Sequence, residues 1–440
     1  MTGKEQRRAG LCLVNTLGRR QERFRSRVRG QVKMFTCGAS IYGRPHIGNY
    51  RTFLHEDILQ RYLEYRGYQV ERCINFTDVE DKSLLEASRR GVGLGRLTEP
   101  VAERFRVECA ALEIKLPGHI PRSSTTIAEA VRLIKLLLAK GHAYRHGDDI
   151  FFDPLTFKGF GRLYGLDMGR WPKARRRFRK DTYPGQRWNL GDFVLWHGYC
   201  VEGTESFCWT TELGPGRPSW NIQDPAIISK YLGEQVDICC GGEDNLFRHH
   251  DYNLAVMEAA TGKRPFSRYW VHVAHVLING VKMAKSRGNI LYPDDLYEQG
   301  YRPMHLRFLL IDGYYRRKIH FSIERLDAAR DRLDELRVLA AGASAPVGQG
   351  VRSNPAVAKH IGRLIGDFEA AMDDDCRVGQ AIAALERHLP VLVELRQRGE
   401  LGRRDSARLR RALLRIDSVL RVLFVNDFGQ RSSVAVVSHC

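Results

Sequence analysis

Apolar and polar residues alternate through QVKMFTC at 31–37, a period of two that predicts a half-buried strand. The chain then enters the glycine-bearing turn CGASIYGRPHIGNY and leaves it in RTFLHEDILQRYLEYRG, whose apolar positions recur as on one face of a helix. YQVERCINFT reads as a second strand, and strand, turn, helix and strand in this order predict an α/β unit with a parallel sheet. Helical patterns follow at 83–114 and 125–141, and 146–205 is mixed. Strand patterns return in DICC at 237–240 and YWVHVAHVLI at 269–278, each leading into a loop, GGEDN and NGVKMAKSRGN. From about 320 onward the pattern is helical and rich in Leu, Ala and Arg, interrupted by GASAPVGQGVRSNP at 342–355, which reads as a linker.

A chain of 440 residues with 43% hydrophobic and 28% charged content is globular and too long for one core, so two to four domains are expected. The formal net charge of +19 suits a polyanionic partner such as nucleic acid, or serves solubility. The ten cysteines are scattered without a CxxC pair, which argues against a disulfide framework and for a reducing compartment. No apolar run is long enough for a membrane span and no apolar signal region follows the N-terminus, so a soluble, cytoplasmic protein with no membrane partner is expected.

Three loops carry chemistry. His46-Ile47-Gly48-Asn49 lies between strand and helix, where helix-start N–H groups and an imidazole can face phosphate oxygens. KMAKS, with Lys282 and Lys285, follows a late strand and can bring two cations to the same anion. Residues 239–253, CCGGEDNLFRHHDYN, crowd cysteines, histidines and carboxylates, all potential metal ligands.

The HIGN and KMAKS loops resemble the two signatures of class I aminoacyl-tRNA synthetases. Further motifs narrow the resemblance to the cysteinyl-tRNA synthetases: LCLVNTLGRRQERF, VKMFTCGASIYGRPHIGNYR, INFTDVEDKSLLEAS, DFVLW, GPGRPSWNIQD, GGEDNLFRHHDYN, KMAKSRGN and FEAAMDDD lie in family order across roughly 11–385. The resemblance implies a Rossmann-type α/β catalytic domain with an insertion, followed by a C-terminal α-helical bundle. The expected division is 1–120 and 206–290 for the two catalytic halves, 121–205 for the insertion, 291–341 for a stem-contact segment, 342–355 for the linker and 356–440 for the bundle.

It further implies ATP with Mg2+, an amino acid (cysteine) and tRNA as partners. His46, Asn49, Lys282 and Lys285 would act on the phosphates of ATP, where charge develops as the adenylate forms. Gly48, Gly241, Gly242 and Asp244 would hold the nucleotide, the carboxylate on a ribose hydroxyl, and Tyr42 and Trp220 would line the amino-acid pocket. The family also places a zinc ion there, bound by Cys, Cys, His and Glu, to take the substrate thiolate. The matching positions are Cys37, Asp224, His249 and Asn253, so one thiolate has become a carboxylate and the glutamate an amide, a poor zinc ligand. His250 and Asp251 would support this site from outside it, and Cys239 and Cys240 would be packing residues.

The tail has no counterpart to the family's terminal anticodon-contacting region, and Arg403, Arg404, Arg408, Arg410 and Arg411 form either a phosphate-binding or a solvated helix face. Three readings remain open at this point. They are a cysteinyl-tRNA synthetase with an altered metal site, a paralogue passing the activated amino acid to a small amine as in mycothiol synthesis, and a silent nucleotide- or tRNA-binding protein.

Overall fold

The computed structural model describes residues 10–168, 191–200, 207–283, 288–345 and 353–424. At its centre is a four-stranded parallel sheet in the order Ser267–Val273, Val236–Gly242, Gln31–Thr36, Gln69–Ile74. Ile238 pairs with Met34 on one side and Tyr269 on the other. Every residue of the inner Val236–Gly242 strand is buried, as a parallel strand covered on both faces requires. The helix Ile47–Tyr65 returns the chain between the two strands read from the sequence, burying Leu54, Ile58 and Tyr62.

Two expected elements are divided. The 83–114 helix is two, Asp81–Arg90 and Leu94–Ala111, because Gly91 ends the first in a left-handed conformation at φ 63°. The 269–278 strand ends at Val273, and Val276–Ile278 joins a separate three-stranded sheet with Val281–Lys282 and Ile319–Phe321. Hydrogen bonds from Ala274 N to Tyr315 O (2.8 Å) and from Ile319 N to His275 O (3.2 Å) hand the backbone to this new neighbour. An apolar pattern reports burial and does not record a change of partner.

The mixed region holds a five-stranded antiparallel sheet from Ala143–His146 to Gly214–Pro218. It is fastened to the helix Asp251–Thr261 by Phe193 stacked on Tyr252, with centroids 3.9 Å apart. One disulfide, Cys200–Cys208, is a local link between residues close in sequence and makes no framework, and the other described cysteines are free. The basic run at 171–180, Lys285 and residues beyond 424 lie outside the described residues.

Four helices follow: Ile323–Ser344, Pro355–Asp373, Val378–Gln397 and Arg403–Leu420. Among the contacts that bind them to the sheet domain are two buried networks. Arg307 and Asp57, both fully buried, pair at 3.0 Å, and Arg307 also donates to Leu112 O and Leu420 O at 2.8 Å. Asp375 accepts from Val14 N (2.7 Å), the Tyr314 hydroxyl (2.5 Å) and the Tyr315 hydroxyl (2.8 Å), tying the N-terminal hairpin, Cys12–Asn15 paired with Arg20–Arg23, to the bundle.

Candidate active site

The parallel strands Gln31–Thr36 and Val236–Gly242 end side by side, and the loops beyond them wall a cavity of about 520 Å³. Cys37, Tyr42, His46 and Asn49 line it from one strand end, Gly242 and Asp244 from the other. This is the carboxyl edge of a parallel sheet, where such folds bind nucleotides. His46 caps the Ile47–Tyr65 helix, and Asn49 Oδ1 accepts from His46 N at 3.0 Å, closing the first turn. Gly48 lies in that turn; a Cβ there would sit 3.0 Å from the His46 ring.

Asp244 reaches Lys282 Nζ at 3.0 Å, so the late loop arrives at the cavity through its first lysine. Burial pushes the Asp244 carboxyl upward, but the nearby Lys282 ammonium outweighs it and the net shift is downward, keeping Asp244 ionised. Sequence reasoning passed over Lys82 and Arg44, which also line the cavity. Lys82 stands in the quoted DVEDKS stretch and could have been flagged; Arg44, held by Glu108 and Asp294, had no such signal.

The four residues matching the family's metal positions come together beneath Cys37. Asp224 Oδ2 lies 2.6 Å from His249 Nε2, 3.6 Å from Cys37 Sγ and 3.5 Å from Asn253 Nδ2. Trp220 stacks on the His249 ring at 4.2 Å with 13° between planes. His250, expected outside the cluster, is inside it, with Nε2 2.9 Å from Cys37 Sγ. Its other nitrogen meets His272 Nε2 at 2.7 Å, and His272 Nδ1 meets Thr16 Oγ1 at 2.8 Å. Asp251 turns away, accepting from Leu163 N and Tyr164 N of the insertion. Cys239 and Cys240 are buried packing residues.

Burial pushes the Cys37 thiol well above its ordinary range, with Asp224 adding to it; burial also holds His250 well below its usual value and His272 down to about 3. Cys37, His249 and His250 offer donor atoms within 4.8 Å of one another. This set fits zinc: thiolate, imidazole and carboxylate are its ligand types, and His249 Nδ1 and Asp224 Oδ1 are buried without a hydrogen-bond partner among the described residues.

The family described as "tRNA synthetases class I (C) catalytic domain" matches residues 23–331. A cysteine–tRNA ligase of Chlamydia pneumoniae is 34% identical over 94% of this chain and 86% of its own length. Another from Symbiobacterium thermophilum is 35% identical over 86% and 80%. The chain belongs to the cysteinyl-tRNA synthetase family. In fold, this family member is similar to a methionyl-tRNA synthetase of Mycobacterium tuberculosis (TM-score 0.60, 16% identity, 89% of this chain and 90% of that one). It is also similar to a LeuRS of Agrobacterium radiobacter (TM-score 0.65, 12% identity, 91% and 85%).

Proposed function

We propose that this family member activates cysteine with ATP as the aminoacyl adenylate and transfers it to tRNA. The observation that carries this reading is the one cavity walled by His46 and Asn49 on one side and by Gly242 and Asp244 on the other, with Lys282 at its rim. ATP lies with its ribose on Asp244 and its phosphates toward His46 and the start of the Ile47–Tyr65 helix, where the helix dipole favours anions. Mg2+ arrives with the nucleotide.

A carboxylate oxygen of the amino acid attacks the α-phosphorus, the bond to the bridging oxygen breaks, and pyrophosphate leaves. His46, Lys282 and Lys285 meet the charge that grows on these oxygens, so their contribution is to the transition state. A terminal tRNA hydroxyl then attacks the carbonyl and AMP departs. A metal held in the Cys37 cluster would take a substrate thiolate in preference to a hydroxyl. Pyrophosphate exchange across the twenty amino acids tests the reading. Exchange dependent on cysteine, followed by charging of tRNA, is expected; exchange with another amino acid alone, or none, overturns it.

A further inference from the structure

We propose that Glu243 is a positioning residue for the adenylate chemistry: its carboxylate holds His275 at the root of the arm 276–282 and so sets where Lys282 stands at the cavity. The inference rests on the part proposed above for Lys282.

The last rung between Val236–Gly242 and Ser267–Val273 pairs Gly242 with Val273, and both chains leave the parallel sheet just beyond it. Glu243 therefore stands beside the turn into the arm. Its Oε1 accepts from His275 N at 3.4 Å and lies 3.3 Å from His275 Nε2, with Lys318 Nζ at 3.9 Å. A carboxylate accepts only, so His275 turns a protonated Nε2 toward it.

The arm is short and stiff. Val276–Ile278 turns back into Val281–Lys282 through Asn279 and Gly280, both at positive φ (51° and 75°), as a two-residue hairpin turn requires. Lys282 pairs with Leu277, two residues from His275, so a shift at the root is carried to the lysine with little slack to absorb it. Neighbouring carboxylates supply both holds: Glu243 grips the root, and Asp244 the Lys282 ammonium at 3.0 Å. On the proposed function ATP takes Asp244 for its ribose, and the hold at the root remains. The root is also braced by Ala274 N on Tyr315 O, in a loop to which the buried Arg51 donates at Arg317 O (2.7 Å). Pairing with Ile319–Phe321 keeps the arm in its sheet, so loss of Glu243 misaims Lys282 without freeing it.

The test compares Glu243→Ala with Glu243→Gln in the full chain. In single-turnover adenylate formation the alanine variant should be about 10- to 100-fold slower, the cost of misplacing a reacting group by about 1 Å, with KM for ATP within about twofold. The glutamine amide oxygen still accepts from His275, so Glu243→Gln should recover to within about fivefold, the difference between a charge-assisted and a neutral hydrogen bond. In a Lys282→Ala background Glu243→Ala should cost no more than about threefold further, because a residue acting through Lys282 has nothing left to aim. Amide hydrogen exchange supplies a readout apart from activity: 276–282 should exchange faster in Glu243→Ala, with Gln31–Thr36 and Val236–Gly242 unchanged. A normal rate in Glu243→Ala, a raised KM for ATP in place of the lost rate, a glutamine variant as slow as the alanine one, losses that multiply in the double variant, or unaltered amide exchange across 276–282 overturns the inference. If the unaltered protein shows no pyrophosphate exchange, the proposed function fails, and the amide-exchange comparison decides by itself whether Glu243 holds the arm.

Discussion

Lys282 and Asp244 form an ion pair at 3.0 Å across the mouth of the cavity, joining the late lysine loop to the turn that follows the inner strand. On the proposed function nucleotide entry parts them, which gives each a separable task. Lys282→Ala should slow adenylate formation by about 10²–10³, the usual loss for one transition-state donor. Lys285→Ala should do the same with the fold intact. Single-turnover adenylate formation is the measurement, and an unchanged rate for both would remove this loop from the chemistry.

Asp244→Ala should act differently, because the ribose contact proposed for it would be made before and during reaction alike. KM for ATP should rise about tenfold, the loss of roughly 1.4 kcal/mol of uniform binding, with kcat nearly unchanged. Steady-state exchange against ATP concentration reads this; a fall in kcat with KM constant would reassign the residue.

Glu56 is buried on the helix behind the site, and burial raises its carboxyl to about 8 against the opposing pull of Arg72 and Thr36. Its folded value is above its unfolded one, so the folded state holds a proton that the unfolded state releases. Stability from this group is therefore complete below the unfolded value near 4.5 and falls as pH rises toward 8, by up to about 1.4 kcal/mol per unit. Urea unfolding of Glu56→Gln should show a flatter profile than the unaltered protein between those limits. Parallel profiles would show that the carboxyl is ionised in the folded state.

Arg307 is fully buried and satisfied by Asp57 and two carbonyls. Arg307→Met should destabilise by about 2–4 kcal/mol, because two buried carbonyls lose their donor and Asp57 keeps Arg61 as its cation at 2.9 Å. Denaturant midpoints measure it, and an unchanged midpoint would contradict the role.

Binding of tRNA should weaken steeply with salt. The helix Arg403–Leu420 exposes Arg403, Arg404, Arg408, Arg410 and Arg411 on its outer side while Leu409, Leu413 and Ile416 are buried. Replacing Arg404, Arg408 and Arg411 with Ala should lower the slope of log K against log salt by up to about three, one per lost phosphate contact. Filter binding at two salt concentrations measures it. No tRNA binding at low salt would turn attention to a small amine as acceptor.

The parallel sheet and the turn at His46 were legible because strand period, glycine turn and helix period occur consecutively within 31–65. The position of His250 against Cys37 was not. Adjacent residues on a regular helix diverge by about 100°, so family spacing gave one of the two histidines to the cluster. The local path through 246–250 departs from a regular α-helix and brings both inward. The break at Ala274 was equally hidden, since its cause is Tyr315, distant in sequence.

The grip of Asp375 on Val14 and on Tyr314 and Tyr315 bears on how the chain is made. The first strand leaves the ribosome early, but its anchoring carboxylate is translated only when most of the polypeptide is already out. The N-terminal hairpin can lean on the strand Ser267–Val273 through Asn15 once that strand is made, but its second seat waits for the bundle. Ribosome-bound chains halted before residue 375 should leave that hairpin more open to protease than chains released after the bundle emerges.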